Sequence, residues 1–293
     1  MIWYRIQIAL LFIAPVIAVA GLYVFGKVIP VPYLGRDYVI RIELPEAGKA
    51  LDLPEIEGPQ DAARPLVVID PGHGGHDPGA SGPAIKEKAV VLGLARALRD
   101  QLLAEGGIRV AMTRNDDRYL ALAERVQIAR ALGADLFLSI HADSAGAREG
   151  VSGASVYTLS ERASSEAAAR FAERENEADR INGVALSGDN PNVNAILVEL
   201  AQRRTSAASE GFADVILREA EGVLDFHPEP RRSAALAVLR APDVPSVLFE
   251  SGFITNAADA QRLSSPAGQR AFAEVMARAI RVQLARTREV PVE

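Results

Sequence analysis

The chain has 293 residues, of which 49% are hydrophobic and 24% are charged, and its formal net charge is -6. This composition indicates a globular protein with one large domain or two small ones, and it excludes a wholly disordered or collagen-like chain. Because a dedicated nucleic-acid binder needs a basic surface, we expect no nucleic-acid partner. The absence of cysteine excludes disulfide scaffolds, thiolate metal sites and cysteine nucleophiles, so any metal must be held by histidine or carboxylate side chains.

The N-terminal segment has the length and apolar character of a membrane-interacting helix. Residues 6–26 carry no charge, and a helix of this length spans about 30 Å, the thickness of the hydrocarbon core of a bilayer. We expect residues 1–28 to be either a signal peptide, cleaved after Ala20, or an uncleaved anchor in the inner membrane, and both alternatives stay open. Since either one exports the rest of the chain, a periplasmic location is expected.

The remainder is predicted to be a linker followed by an α/β domain. Residues 29–64 are rich in proline and glycine and lack hydrophobic periodicity, which is typical of a linker. From residue 65 to about 290, short apolar runs alternate with helical patterns, which predicts a largely parallel sheet covered by helices on both faces. The predicted strands are Leu66–Asp70, Ile108–Thr113, Asp135–Ile140, Val151–Leu159 and Val247–Glu250. The predicted helices are Glu87–Ala104, Leu120–Leu132 and Pro266–Arg286.

Residues 161–224 interrupt the α/β alternation. The stretch is polar and rich in alanine, and Ala168, Phe171, Ala178 and Ile181 form only a narrow apolar stripe. We therefore predict a helical insertion whose docking on the α/β domain buries little apolar surface.

Four polar residues fall where predicted strands end or where the first helix begins. His73 lies in a Gly-rich turn after the first strand, Glu87 opens the first helix, and His141 and Glu250 directly follow two later strands. Because ligands gather at the carboxyl ends of strands in open α/β sheets, we expect these side chains at one edge of the sheet. Two histidines and a carboxylate can hold a catalytic zinc with an open position for water, and a second carboxylate can take the proton of that water.

Each of these residues also has a structural interpretation. A histidine in a turn can cap a loop, a glutamate at a helix start can complement the helix dipole, and a histidine after a strand can hydrogen-bond to the backbone. The Gly-rich turn lacks the ending of a P-loop and the spacing of a dinucleotide site, and the chain lacks the GxSxG elbow of serine hydrolases. It is the combination of the four residues that favours a metal site.

Four segments resemble the zinc-dependent N-acetylmuramoyl-L-alanine amidases of the bacterial cell wall. They are DPGHGGHDPGA around His73, EK at Glu87, SIHAD around His141 and ESGFITN around Glu250, and the resemblance spans about residues 66–286. It implies an α/β domain with a mixed sheet of about six strands flanked by helices. It also implies that His73, Glu87 and His141 hold Zn²⁺ and that Glu250 is the catalytic base. The implied reaction is hydrolysis of the amide between N-acetylmuramic acid and L-alanine in peptidoglycan, for cell-wall remodelling or daughter-cell separation.

The insertion resembles that of the cell-division members of this family, in the segments SERAS, ENEADRINGV and ILVELAQ. In those relatives a helix covers the active site until a partner with a LytM-type domain displaces it. The resemblance thus implies autoinhibition and a LytM-type activator. Glu161 is our candidate for a carboxylate that reaches the zinc from the insertion, and a solvated helix face is the alternative.

Asp70 and His227 are two further polar residues for which a role is expected, and two alternative functions fit the same sequence. Asp70 is expected to orient a ligand histidine, and His227 is expected at the surface or on the substrate side. A zinc peptidase that cuts within the stem peptide would use the same ligands, and a non-catalytic wall-binding module would keep the fold but would be expected to lose Glu250. We expect a monomer.

Overall fold

The computed structural model describes Trp3 and residues 51–82, 85–146, 148, 150–181, 184–185 and 195–289. The chain divides into two units, Met1–Lys49 and Ala50–Glu293, and the second unit carries the α/β fold. The predicted signal peptide or anchor, and the first part of the predicted linker, lie outside the described residues apart from Trp3. None of the helices in the described ranges combines the length and the apolar character that a membrane span requires.

The elements alternate along the chain as the apolar runs predict. In chain order the strands are β1 Leu66–Pro71, β2 Arg109–Met112, β3 Leu136–Asp143, β4 Ala154–Leu159, β5 Arg180–Ile181, β6 Val184–Ala185, β7 Phe226–Ala234 and β8 Ser246–Phe253. The helices are α1 Glu87–Glu105, α2 Leu122–Ala131, α3 Glu166–Asn176, α4 Ala195–Ala220, α5 Ala257–Ser264 and α6 Pro266–Glu289. Each strand and helix predicted within the α/β domain is present, with ends that differ by at most three residues.

Six strands form one mixed sheet in the order β2-β1-β3-β8-β4-β7. Strand β1 pairs in parallel with β2 and β3, and β3 pairs in parallel with β8. Strand β4 runs antiparallel to β8 and parallel to β7. The expected mixed, largely parallel sheet of six strands is therefore confirmed, and β5 and β6 form a separate two-stranded sheet.

The sheet separates two hydrophobic cores because successive side chains of a strand point to opposite faces. On one face, Val67 and Ile69 of β1 pack with apolar residues of α1, α4 and α6. On the other face, Leu66 and Val68 belong to a core that includes Ala129 of α2 and the buried side of α3. Both faces are covered, as the near-continuous apolar runs of the central strands predict.

Two stretches differ from the sequence-based expectation. Glu57, in the predicted linker, pairs with Val110 of β2 through two backbone hydrogen bonds of 2.8 and 2.9 Å, so this part of the linker lies against the sheet. The second half of α4 falls within the predicted insertion, yet Phe212, Val215 and Ile216 are fully buried in the main core. The distinct part of the insertion is therefore the region around α3, whose N-cap Ser165 accepts a hydrogen bond from the backbone of the first turn.

Candidate active site and metal centre

The predicted site residues meet at one edge of the sheet. His73 follows β1, and Glu87 is the first residue of α1. His141 of β3 and Glu250 of β8 are direct partners in the parallel register between these two strands. Since partners in a ladder point to the same face, the His141 and Glu250 side chains lie side by side, as the sequence predicts.

The turn that carries His73 is held by two buried arginines. His73 has a φ of 59°, in the left-handed region that side-chain-bearing residues rarely adopt. Arg125 donates to the carbonyl oxygens of Pro71 and His73 at 2.9 and 2.7 Å. Arg114 donates to those of Pro71 and Gly72 at 2.9 and 2.7 Å. These hydrogen bonds fix the backbone that aims the His73 ring at the sheet edge.

Four ligand atoms converge on one point between the histidines. His73 Nε2 lies 3.0 Å from Glu87 Oε1 and 3.4 Å from Glu175 Oε2. His141 Nδ1 lies 3.1 and 3.2 Å from the same two oxygens. All four residues are buried, and within the described part of the chain neither of these nitrogens has a partner in hydrogen-bond geometry. The two nitrogens thus lie close to oxygens without being directed along a hydrogen bond to them.

This arrangement fits a tetrahedral zinc site. Zinc binds histidine nitrogen and carboxylate oxygen at about 2.0–2.2 Å, which places neighbouring ligand atoms of a tetrahedron about 3.3–3.5 Å apart. The nitrogen-to-oxygen distances of 3.0–3.4 Å are close to this range. His73, His141 and Glu175 each offer one ligand atom, and these three atoms lie within 4.8 Å of one another, close enough to hold one metal ion. The donor set suits zinc, and a soft thiolate-binding metal has no ligand here because the chain lacks cysteine.

Neighbouring groups orient the proposed ligands. Asp77 Oδ2 lies 2.8 Å from His73 Nδ1, so Asp77 can hold a proton on Nδ1 and leave Nε2 free to face the metal. Glu87 accepts backbone hydrogen bonds from Ala142 at 2.9 Å and Ala80 at 2.7 Å. Each oxygen of the Glu87 carboxylate thus accepts one backbone hydrogen bond, and these two bonds orient the carboxylate at the start of α1.

The expectation that Asp70 orients a ligand histidine was wrong. Asp70 is fully buried and accepts hydrogen bonds from Arg125, Thr113 and Ser139 at 2.7, 2.6 and 2.8 Å. Its hydrogen bonds within the described residues thus go to these three side chains and not to a histidine ring. Asp70 therefore neutralises one of the buried arginines, and Asp77 takes the role next to His73.

The carboxylates create a strongly cation-binding environment. Burial lowers the pKa of His73, but Glu87 and Asp77 more than offset this effect and raise it to about 10. Burial likewise lowers the pKa of His141, and Glu175 and Glu87 raise it to about 10. Conversely, burial raises the pKa of Glu87, but the two histidines hold it well below its usual range. A metal ion that enters must displace protons from the histidines, so its binding is linked to pH.

Glu250 lies at the same sheet edge with both carboxylate oxygens free. It is buried, and neither oxygen has a hydrogen-bond partner among the described residues. Burial, followed by the negative charges of Asp143, Glu87 and Glu175, raises the pKa of Glu250 well above its usual range. A carboxylate with free oxygens and a raised pKa is suited to accept a proton and to return it.

The carboxylate that reaches the histidines from the insertion is Glu175 rather than Glu161. Glu161 is exposed in the bend that precedes α3. Glu175 lies on the buried side of α3, together with Ala168, Phe171 and Ala172. The spacing 168, 171, 172, 175 is that of one helical face, so a carboxylate that continues an apolar stripe was the sequence signal for this contact.

Helix α3 is held over the site by contacts on both sides of Glu175. The Phe171 ring packs against that of Tyr157, with centroids 4.5 Å apart. Arg174 donates to Asp143 at 2.5 Å, and Asn176 bonds to the backbone that follows β7. These contacts hold α3 where its Glu175 lies beside His73 and His141.

Comparison with known proteins places these residues in a family. Residues 67–282 match the Amidase_3 family model, described as N-acetylmuramoyl-L-alanine amidase. The chain belongs to this amidase family. It is 40% identical over 220 residues to the N-acetylmuramoyl-L-alanine amidase AmiC of Neisseria meningitidis. The aligned region covers 74% of this chain and 52% of AmiC. It is also 40% identical over 217 residues to the N-acetylmuramoyl-L-alanine amidase AmiA of Escherichia coli. The aligned region covers 73% of this chain and 74% of AmiA.

Solved amidase structures share the fold. The amidase AmiC2 of Nostoc punctiforme has a TM-score of 0.54 and 29% identity, and the match covers 75% of this chain and 97% of that one. The catalytic domain of the amidase CwlV from Bacillus (Paenibacillus) polymyxa has a TM-score of 0.56 and 26% identity, with 75% and 98% covered. The chain spans about half of the length of the AmiC relative from Neisseria meningitidis.

Proposed function

We propose that this chain is a zinc-dependent amidase that hydrolyses the amide bond between N-acetylmuramic acid and L-alanine in peptidoglycan. The observation that carries the proposal is the convergence of His73 Nε2, His141 Nδ1 and Glu87 Oε1 on one point at the sheet edge that also carries the free carboxylate of Glu250. Membership of the amidase family supports the choice of substrate. We propose that the protein acts on the cell wall from the periplasm, with residues 1–28 as its signal peptide or inner-membrane anchor.

The residues divide the chemistry among them. His73, His141 and Glu87 would hold the zinc, which when bound supplies a Lewis acid for the scissile carbonyl and an activated water. Glu250 accepts a proton from the attacking water and delivers it to the nitrogen of L-alanine as the carbon–nitrogen bond breaks. Asp77 keeps the proton of the His73 ring on Nδ1, so that Nε2 keeps its lone pair.

The described conformation is proposed to be the resting, autoinhibited state. A catalytic zinc keeps one position open for water, and Glu175 Oε2 stands where that fourth ligand would be. With α3 docked, neither water nor the substrate carbonyl can take this position. A LytM-type activator that binds the released helix better than the docked one would shift the population towards the open state. We propose peptidoglycan and such an activator as the partners of a monomeric enzyme.

Mass analysis of reaction products tests the proposal against its alternatives. The full chain with Phe171→Asp, which places a charge in the contact between α3 and Tyr157, is loaded with zinc and incubated with purified peptidoglycan. Free stem peptides with an L-alanine amino terminus support the amidase. Fragments cut within the stem peptide would indicate a zinc peptidase, and wall binding without any product would indicate a binding module. The matched control adds Glu250→Gln to the same variant.

A further inference from the structure

One buried arginine near the proposed active site has no anionic partner among the residues that the structure describes. Arg232 of β7 is 7% exposed. Its Nη1 donates to the Tyr157 hydroxyl at 3.1 Å, and its Nε donates to the carbonyl oxygen of Glu229 at 3.0 Å. Its Nη2 lies 2.8 Å from His227 Nδ1 and 3.2 Å from His227 Nε2. Within the described ranges, Arg232 forms no ion pair. Each terminal nitrogen of a guanidinium carries two N–H groups, and these contacts give Nη1 one acceptor and give Nη2 only the His227 ring.

The partners of Arg232 are neutral. His227 Nδ1 also accepts the backbone N–H of Glu229 at 3.0 Å, so the proton of the neutral ring is on Nε2. Burial and the charge of Arg232 both lower the pKa of His227, which keeps the ring uncharged. By contrast, the buried Arg125 forms an ion pair with Asp70 at 2.7 Å. A buried cation is costly unless an anion compensates it, which points to an anion supplied from outside the chain.

The position of Arg232 relates it to the scissile bond. In the sheet, Ser155 of β4 is the direct partner of Glu250, and β7 lies on the other side of β4. Arg232 is the register partner of Tyr157, and Tyr157 is the partner of Leu248, two residues before Glu250 on β8. Two strand spacings of about 4.8 Å and two residues of about 3.3 Å therefore separate the backbones of Glu250 and Arg232 by about 12 Å. The Arg232 side chain lies on the same face of the sheet as Tyr157 and bends back to His227, whose ring is 6.3 Å from that of Phe253 at the end of β8.

Helix α3 and this arginine lie against the same aromatic ring. The guanidinium carbon of Arg232 lies 5.9 Å from the centre of the Tyr157 ring, and the Phe171 ring of α3 lies 4.5 Å from the same centre. The helix that brings Glu175 to the histidines thus also packs on the aromatic ring that lies beside Arg232. Its release would uncover that side of Tyr157 together with the histidines.

We infer that Arg232, with Tyr157 and His227, forms a subsite for a carboxylate in the peptide part of the substrate. The guanidinium fork matches a carboxylate with two parallel N–H groups. An extended peptide advances about 3.3–3.6 Å per residue, so the separation of about 12 Å between the backbones of Glu250 and Arg232 corresponds to roughly three residues. The carboxylates within reach are those on the second and third residues of an acidic stem peptide. This inference rests on the proposed function, because it takes the amide before the first residue as the bond that is cut.

Soluble muramoyl peptides test the subsite in the zinc-loaded full chain with Phe171→Asp. One substrate has all its carboxylates free, one has a carboxamide on the second residue, and one has a carboxamide on the third. A charge-assisted hydrogen bond leads us to expect that one of the two amidated substrates loses between about tenfold and a hundredfold in kcat/KM. Arg232→Gln should remove this discrimination. Arg231→Gln is the matched control, since the neighbouring Arg231 is exposed and pairs with Asp214, and it should retain the discrimination.

The outcomes separate this inference from the proposed function. If the chain with Arg232 intact cleaves all three substrates at the same rate, or if Arg232→Gln still discriminates, the subsite is refuted. If no substrate is cleaved at the lactyl amide, the proposed function fails and the subsite fails with it. If Arg232→Gln does not fold, isothermal titration calorimetry of peptide binding to the full chain with Phe171→Asp and Glu250→Gln tests the subsite instead. That chain should bind the free-carboxylate peptide at least about tenfold more tightly than one amidated peptide, and equal binding would overturn the inference.

Discussion

Replacing Phe171 by alanine should raise the basal activity of the isolated chain. Phe171 is 3% exposed and fills the contact between α3 and Tyr157. Truncation of a buried phenylalanine to alanine costs about 3–5 kcal/mol, and this loss falls on the docked state because the released helix exposes the side chain. A change of about 3 kcal/mol alters an equilibrium by about a hundredfold. While the open state is the minor one, the rate follows its population, so wall degradation without an activator should rise about a hundredfold.

The assay is the release of soluble fragments from labelled peptidoglycan by zinc-loaded full chains. Arg170→Ala is the matched control, because Arg170 lies on the same helix with its side chain 65% exposed. It should leave the basal rate unchanged. Equal rates for the original chain and Phe171→Ala, at equal zinc content and equal helical circular dichroism, would refute the assignment of α3 as the inhibitory element.

Three further predictions concern the site and its support. Glu250→Gln should keep the zinc but lower the turnover of the Phe171→Ala chain by about a hundredfold to ten-thousandfold, because an amide cannot accept the proton; near-normal turnover would make Glu250 structural. Asp77→Ala should weaken zinc binding by about tenfold to a hundredfold in a chelator competition, because His73 loses the group that orients it, and an unchanged affinity would contradict that role. Asp70→Asn should destabilise the fold by about 3–5 kcal/mol at pH 7 in urea unfolding, since it leaves Arg125 buried and unpaired. Burial raises the pKa of Asp70, but the charge of Arg125 and the hydrogen bonds to Asp70 more than offset this and hold the pKa below its usual value. The contribution of Asp70 is therefore present above about pH 4 and is lost as the pH falls further, and a pH-independent difference would contradict it.

The sheet and most of the site could be predicted from the sequence because both depend on local patterns. Apolar runs mark the central strands, which are buried on both faces, and a polar residue at the end of such a run has a defined place at the sheet edge. This explains why the structure brings His73, His141 and Glu87 together and puts Glu250 beside His141. Strand β7 was missed because it is an edge strand with two prolines and several exposed polar residues, and such a segment lacks the apolar signal.

Contacts between distant segments set the limit of prediction. The sequence indicates that the insertion contains an amphipathic helix, but its acidic residues resemble one another in composition. The helical spacing puts Glu175 on the apolar side of α3, but only the docked position of the helix shows that this side meets the histidines and that Glu161 does not. Similarly, the sequence shows Arg231 and Arg232 as one basic pair, whereas strand alternation makes the first exposed and the second buried.

The central claim is that four side chains meet at a single zinc ion and that one of them belongs to the inhibitory helix. Crystallography of the zinc-loaded full chain, with anomalous data at the zinc edge, tests it most directly. We predict one zinc per chain, bound at about 2.0–2.2 Å by His73 Nε2, His141 Nδ1, Glu87 and Glu175. An ion bound elsewhere, or full zinc occupancy retained in both His73→Ala and His141→Ala, would contradict the account.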